Sequence, residues 1–263
     1  MRTCAPQMRT HGQSLQEQFD PQAQAYLLSA VHARGPDLEH AAVLVRQALA
    51  APARALDVGC GAGHLSFTLA PSVTHLVALD RSAGMLATVA AAAAARGLPQ
   101  IETCQASAES LPFAAGSFDL ACTRYSAHHW TRLPLALEQT HRVLGPAGRL
   151  LLIDTLGHAD PLVDTHLQAI ELLRDPSHVR NRSTLEWYAL LQAAGFSETQ
   201  YFEWPTRLAF TPWVERMRAP PERVAVIRSL QHQAPSEVHS ALAIEADGSF
   251  TIRTGLFWAR AAR

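Results

Sequence analysis

The chain has few cysteines, little charge of either sign and no long apolar run, and each shortage excludes something. Its 263 residues hold four cysteines, Cys4, Cys60, Cys104 and Cys122, with no Cys-x-x-Cys spacing. A disulfide framework or zinc knuckle is therefore not indicated, and buried thiols in a reducing compartment are expected. Lys and Arg number 22 against 23 Asp and Glu, a formal net charge of −1, and no basic run occurs. The electrostatic footprint of a nucleic-acid binder is missing. The longest uncharged, mostly apolar stretch is Ala83 to Ala95. As a helix it spans only about 20 Å, too short for a bilayer, and an alanine-rich solvent-side helix is expected instead. The N-terminal residues lack the apolar core of a signal peptide. These shortages predict a soluble, cytoplasmic protein without a membrane span or nucleic-acid partner, and they leave the oligomeric state open. With 48% hydrophobic residues there is ample material for one α/β domain with elaborations.

What the chain does have begins at Ala55-Leu56-Asp57-Val58-Gly59-Cys60-Gly61-Ala62-Gly63-His64. An apolar run ends in an acid, breaks into three alternating glycines and leads into the helix-compatible Leu65 to Ala70. Glycine lets the backbone approach a ligand and reach positive φ. A helix start behind such a loop presents unpaired N–H groups to an anionic ligand group. The dinucleotide fingerprint wants its third glycine three positions after the second, where His64 stands. No Gly-Lys-Ser/Thr follows, which excludes a P-loop.

From Arg54 to Asp154 the pattern alternates strand and helix. Strands are expected at Leu76–Asp80, Ile101–Ala106, Phe118–Thr123 and Arg149–Asp154. Ser82 caps a helix that Gly97 stops, and a helix over Leu133–Leu144 meets Gly145-Pro146-Ala147-Gly148. Further on, Ser183-Thr184-Leu185-Glu186 reads as a capping box for a helix ending at Ala194-Gly195. Strands are expected at Phe196–Trp204 and from Phe250 to Ala259, with short helices between. Such alternation predicts a doubly wound α/β fold. The expected division is a helical lid segment at 1–45, a core at 46–204, a helical cap insertion at 205–250 and a last core strand at 251–263. Asp80, seventeen residues after Gly63, suits the two hydroxyls of a ribose, whether of a nicotinamide or another nucleoside cofactor.

Asp-x-Gly-x-Gly-x-Gly behind a strand resembles motif I of the class I S-adenosylmethionine (SAM) methyltransferases. Three more segments follow in order: Asp80-Arg81-Ser82, then Ser107-Ala108-Glu109-Ser110-Leu111-Pro112-Phe113 with Gly116-Ser117-Phe118-Asp119-Leu120, then His141-Arg142-Val143-Leu144. Together they closely resemble the ubiquinone/menaquinone C-methyltransferase branch (methyltransferase type 11) over roughly residues 19–200. The resemblance implies a Rossmann-like sheet, mostly parallel with an antiparallel last strand, SAM as cofactor and a small-molecule methyl acceptor. It also implies that Gly59, Gly61 and Gly63 line the methionine moiety, that Asp80 holds the ribose, and that Ala108 and its neighbours, with Met85, hold adenine. Asp57, Arg81, Glu109 and Arg124 complete the set. Ser107 departs from the Asp usual in the family. Phe19 and Tyr26 match a segment that closes over the cofactor in relatives, although Tyr26 also suits plain helix packing.

Thr123-Arg124-Tyr125-Ser126-Ala127-His128-His129-Trp130 lacks the Asn/Asp-Pro-Pro-Tyr/Phe of adenine- and glutamine-directed methyltransferases. His128 falls where the quinone-directed enzymes carry an arginine. An imidazole with an ordinary pKa near 6.5 can accept a proton from a phenol, enol or thiol, so His128 is the first candidate base, with His129 and Arg124 behind it. A structural histidine is the competing reading. No metal site is expected, since adjacent histidines point apart and no His-x-x-x-His with a third ligand occurs. Arg174-Asp175-Pro176-Ser177-His178-Val179-Arg180 either presents cations to an acidic substrate or forms a turn with an internal ion pair. A quinone-like ring as acceptor, and a SAM-binding protein without activity, are the competing functions.

Overall fold

Alternating strand and helix between Arg54 and Thr155 builds the parallel part of one seven-stranded sheet. The computed structural model describes residues 9–28, 33–49 and 53–262, so Cys4 lies outside the described residues. Strands β1 (Arg54–Val58), β2 (His75–Asp80), β3 (Ile101–Gln105), β4 (Phe118–Arg124) and β5 (Leu144–Thr155) are parallel neighbours. β6 (Phe196–Leu208) and β7 (Phe250–Ala261) complete the order β3-β2-β1-β4-β5-β7-β6. β7 is antiparallel to both its neighbours. The Rossmann-like sheet with an antiparallel last strand is therefore present. The strand order turns around between β1 and β4, where open α/β sheets bind ligands.

Period-two alternation divides each strand between two cores. Leu56 and Val58 of β1, Val77 and Leu79 of β2, and Leu150 and Leu152 of β5 face one side. Helices α6 (Leu133–Val143) and α8 (Thr184–Ala193) cover that side through Leu137, Trp187 and Leu191. Ala55, Leu76, Ala78, Leu151 and Ile153 face the other, under α3 (Pro36–Ala48), α4 (His64–Leu69) and α5 (Ala83–Ala95). Both faces are thus covered, as a parallel sheet requires. The alanine-rich α5 lies at the surface, as expected, with Ala87, Ala90, Ala91 and Ala94 exposed, and its other face is buried. Val89 is wholly buried and Met85, Leu86 and Ala93 are buried beside it, since small side chains let the helix lie close to the sheet. Ser82 caps α5 by accepting from the Met85 N–H at 3.0 Å, and the Ser183–Glu186 capping box opens α8.

Two boundaries depart from the sequence pattern. The glycine–proline stop ends α6 at Val143, but Leu144 already pairs with Phe118 in β4. The next paired residues are Leu120 and Arg149, so residues 145–148 bulge from the ladder as part of β5. β6 runs past Trp204 to Leu208 because β7 supplies partners throughout, from Trp204↔Thr254 to Leu208↔Phe250. Pro205 is tolerated because β6 is an edge strand. The inserted helices are α9 (Phe210–Arg216), α10 (Pro221–Gln233) and α11 (Ser236–Leu242). They pack with α7 (Pro161–Arg174) around Trp213, Ile227, Phe250 and Ile252 as a separate apolar cluster. Two short helices, α1 (His11–Phe19) and α2 (Ala23–Leu28), precede the sheet. Among the described residues no helix is long and apolar enough to cross a membrane.

Candidate active site

A cavity opens at the carboxyl ends of β1, β2 and β4, and most of the residues singled out in the sequence converge on it. Phe19, Tyr26, Asp57, Gly59, Gly61, Asp80, Arg81, Met85, Ala108, Glu109 and Arg124 all line it. Gly63 and Ser107 do not: a Cβ on Gly63 would meet Phe67 and Val89, and the Ser107 hydroxyl donates to Glu109. Of the three loop glycines, Gly61 is the one that faces open space. Its φ is +51° and a Cβ there would meet nothing within 4 Å, so a side chain would project where a ligand can lie.

The two carboxylates of the cavity are held differently. Asp80 Oδ2 accepts the Gly61 N–H and Oδ1 the Ser82 N–H, both at 2.9 Å, which ties the loop to the end of β2. Burial nevertheless pushes its pKa up. Asp57 Oδ2 accepts the Ser66 hydroxyl at 2.6 Å, while Oδ1 is buried with no partner. Burial, with Asp80 nearby, raises Asp57 to about 7 although the Ser66 hydrogen bond opposes this. A buried acceptor without a donor costs about 1–3 kcal/mol and is a place for a ligand's positive or donor group.

The N-terminal segment lies across the mouth of this cavity. The Phe19 and Tyr26 rings meet edge to face at 5.8 Å. Gln18 donates to the Met217 carbonyl at 2.8 Å, and the Tyr26 hydroxyl to Met217 Sδ at 3.1 Å. His64 Nε2 lies 2.9 Å from the Tyr26 carbonyl, and Ser82 hydrogen-bonds to Asp20. The residue that breaks the dinucleotide spacing thus fastens the glycine-rich loop to α2.

A second cavity of about 300 Å³ adjoins the first, and Phe19, Tyr26, Tyr125 and His129 line both. His128 lines the second cavity alone. Its Nδ1 is 2.5 Å from Asp154 Oδ1, and its backbone N–H donates to Asp154 Oδ2 at 3.0 Å. Burial alone would lower the His128 pKa, but the Asp154 charge and hydrogen bond outweigh it and raise the value above 6.5. His129 goes the other way. Burial and the neighbouring His128 lower it to about 4, and its Nδ1 is 3.0 Å from the Ser177 carbonyl. His178, 5.8 Å from His128 between ring centroids, is lowered to about 3, first by burial and then by the same neighbours. The surroundings therefore favour the protonated form at His128 and the neutral form at the two rings beside it.

Arg124 is committed elsewhere. Its Nε donates to Asp37 Oδ2 at 2.5 Å with both side chains buried, and its guanidinium lies 4.5 Å from the Tyr125 ring centroid. It is an anchored cation of the cavity wall rather than a proton acceptor. The 174–180 segment divides its two readings between its ends. Arg174 and Asp175 line the second cavity, whereas Arg180 pairs with Asp164 and Glu186. No cluster of His, Cys, Asp or Glu suited to a metal occurs among the described residues.

Sequence reasoning missed Asp154, Asp37 and Glu171 as site residues. Asp154 carried a signal, being an acid near the carboxyl end of a core strand. Asp37 and Glu171 sit on helices whose approach to the site is a tertiary matter.

Residues 56–152 match the methyltransferase domain family. The chain is 44% identical over 193 residues to the uncharacterized protein YafE of Escherichia coli K12, covering 73% of this chain and 93% of that protein. It is 32% identical over 227 residues to the uncharacterized methyltransferase YcgJ of Bacillus subtilis 168, covering 86% and 88%. The crystal structure of YcgJ matches with a TM-score of 0.80 at 30% identity, over 86% of this chain and 99% of that one. The ubiquinone/menaquinone biosynthesis C-methyltransferase UbiE of Sinorhizobium fredii is 36% identical over 120 residues, 44% of this chain and 46% of that enzyme.

Proposed function

Because this chain belongs to the class I methyltransferases, enzymes whose cofactor is SAM, we propose that it methylates a small molecule held in the second cavity. The observation that carries the reading is the shared wall: the motif-lined cavity and the second one meet at Phe19, Tyr26, Tyr125 and His129. The residues present fit the cofactor. The unpaired Asp57 Oδ1 suits its ammonium group, and the space at Gly61 suits its backbone-contacting methionine part. Asp80 retains lone pairs for ribose hydroxyls, and Met85 with Ala108 offers an apolar wall to adenine. When bound, SAM supplies an electrophilic methyl group.

The chain's own residues then have three tasks. The lid at Phe19 and Tyr26 excludes water, the shared wall aligns the acceptor, and His128 takes a proton. Asp154 holds His128 Nδ1 and so leaves Nε2 as the working nitrogen. An acceptor with an ionisable O–H, N–H or S–H suits this arrangement. A quinone-like ring methylated on carbon is the second reading, favoured by Tyr125, Trp204 and Trp213 in the cavity wall. We place the reaction in the cytoplasm, which the free thiols of Cys60, Cys104 and Cys122 support.

Incubation with methyl-labelled SAM and a panel of phenols, carboxylic acids, amines and thiols tests the reading. Label is expected in at least one acceptor, with S-adenosylhomocysteine (SAH) formed in equal amount. Tight SAH binding without transfer to any acceptor would reduce the protein to a cofactor-binding regulator. NADH binding in place of SAM would end the reading altogether.

A further inference from the structure

His129 lines both cavities, and the groups around its Nδ1 fix which ring nitrogen carries the hydrogen. The Ser177 carbonyl lies 3.0 Å from Nδ1 and can only accept. The Ser177 hydroxyl, 3.3 Å from Nδ1, donates its own hydrogen to Asp175 Oδ1 at 2.6 Å, so it too accepts from the ring. Nδ1 therefore bears the hydrogen and Nε2 the lone pair. The lowered pKa keeps the ring in that neutral form. Nε2 stands 3.9 Å from Asp175 Oδ2, beyond hydrogen-bond reach. Asp175 also lines the second cavity, and its side chain is only 5% exposed. Its Oδ1 takes the Ser177 N–H at 2.8 Å as well, which leaves Oδ2 as the open oxygen. The other acids nearby are paired: Glu171 with Arg174, Asp37 with Arg124, and Asp154 with His128. Among the described residues no arginine forms an ion pair with Asp175. Two acceptors thus face each other across a gap with no donor between them, an arrangement that a bound donor relieves.

We propose that the methyl acceptor is an amine, whose nitrogen lies between His129 Nε2 and Asp175 Oδ2 and donates a hydrogen to each. This rests on the methyl-transfer reading and narrows it to one substrate class. A hydroxyl or thiol brings one hydrogen and satisfies one of the two atoms. A protonated primary amine brings three, and its charge strengthens the bond to the carboxylate. Nitrogen at about 2.9 Å from both atoms spans a gap of this width. Because His129 belongs to the wall shared with the motif-lined cavity, the nitrogen would lie where the two cavities meet. It then gives up one proton to His128, whose ring centroid is 4.2 Å from that of His129. The freed lone pair forms the N–C bond, and the electron pair of the broken methyl–sulfur bond stays on sulfur.

Full-length protein saturated with SAH is titrated with benzylamine, tyramine and cyclohexylamine, and with the matched alcohols, at constant ionic strength. The N,N,N-trimethyl salt of each amine keeps the charge without a hydrogen to donate. At least one amine is expected to bind tenfold or more tightly than both its alcohol and its trimethyl salt. Asp175→Asn keeps an oxygen for the Ser177 N–H and should bring that preference within twofold, with SAH affinity unchanged. His129→Phe, which keeps a ring in the wall, should do the same and serves if Asp175→Asn does not fold. Equal binding of amines and alcohols, as when water fills the gap, overturns the proposal. So does a trimethyl salt that binds as well as its amine, or a preference that survives substitution. Failure of SAH to bind would instead strike the methyltransferase reading on which the proposal stands.

Discussion

At the scale of single residues, geometry assigns different tasks to side chains of the same type. His128, His129 and His178 are neighbours, yet among the described residues only His128 hydrogen-bonds a carboxylate through its ring, Asp175 standing 3.9 Å from His129 Nε2. Its pKa is therefore raised where theirs are lowered. The rate should rise with pH through an inflection above 6.5, not at the ordinary histidine value, because the imidazolium must lose its proton before it can act as base. Asp154→Asn should move that inflection to lower pH and reduce turnover about 10²- to 10⁴-fold, with SAH affinity unchanged. A pH profile identical to wild type would show that Asp154 does not govern the titrating group. Gly61 gives a second residue-scale expectation. Gly61 and Gly97 both have positive φ, and a Cβ on either meets nothing within 4 Å. Alanine at either position should cost about 1–2 kcal/mol of stability through the backbone alone. Only Gly61→Ala should also weaken SAM binding in calorimetry, by tenfold or more. Equal binding by both variants would remove Gly61 from the cofactor site.

At the scale of elements, the lid is held by a small apolar cluster, in which Phe19, Tyr26 and Leu27 pack on Ala23, Ala62 and Met85, and by a few hydrogen bonds. α1 has no buried residue, and the segment is fastened through Gln18, Asp20, Tyr26 and the His64 ring. Segments with few buried apolar contacts open at low free-energy cost. His64→Ala should therefore speed proteolytic cleavage within residues 11–28 several-fold, leave the sheet's far-UV signal unchanged, and lower turnover. SAH should restore protection. Cleavage at the wild-type rate would mean that the other contacts suffice. Element boundaries also show what was legible. Ser82 and the Ser183–Glu186 box announced their helices because capping is local chemistry. Gly145-Pro146 announced a stop and did stop α6. It hid the fact that Leu144 already pairs with Phe118, because strand pairing is set by a distant partner. Trp204 to Leu208 continued as strand for the same reason, the length of β7.

At the scale of the whole molecule, stability should depend on pH in a direction set by the buried imidazoles. His129 at about 4 and His178 at about 3 stay neutral in the folded state while the unfolded chain protonates near 6.5. Between those values the unfolded state binds more protons, so stability falls as pH drops, by about 1.4 kcal/mol per pH unit for each imidazole. Asp57, raised to about 7, opposes this, since between about 4 and 7 the folded chain holds a proton that the unfolded chain releases. His128 contributes stability that is fully present below 6.5 and is lost as pH rises through its raised folded value. Two imidazoles against one carboxyl leave a net loss toward acid. Urea denaturation should show lower stability at pH 5 than at pH 6.5, and His178→Gln should flatten that slope by about one proton. An unchanged slope in the variant would mean that the His178 ring is not held neutral.

The local motifs were written in the chain itself. Strand–glycine loop–helix at 55–70, the acid at Asp80, the caps and the strand alternation are short-range patterns. They determined the fold class, the cofactor class and most of the first cavity's lining. Tertiary structure alone decided which of those residues face the ligand. It turned Ser107 to Glu109 and packed Gly63 against Phe67 and Val89. It bound Arg124 to Asp37, 87 positions earlier, and gave His128 its partner Asp154 from the next strand. It also folded the inserted helices back over α7, so that Trp213 and Val214 join Val163 and Leu167 in one apolar cluster. Charges separated by tens of residues interact through space, and only the packed chain fixes those distances.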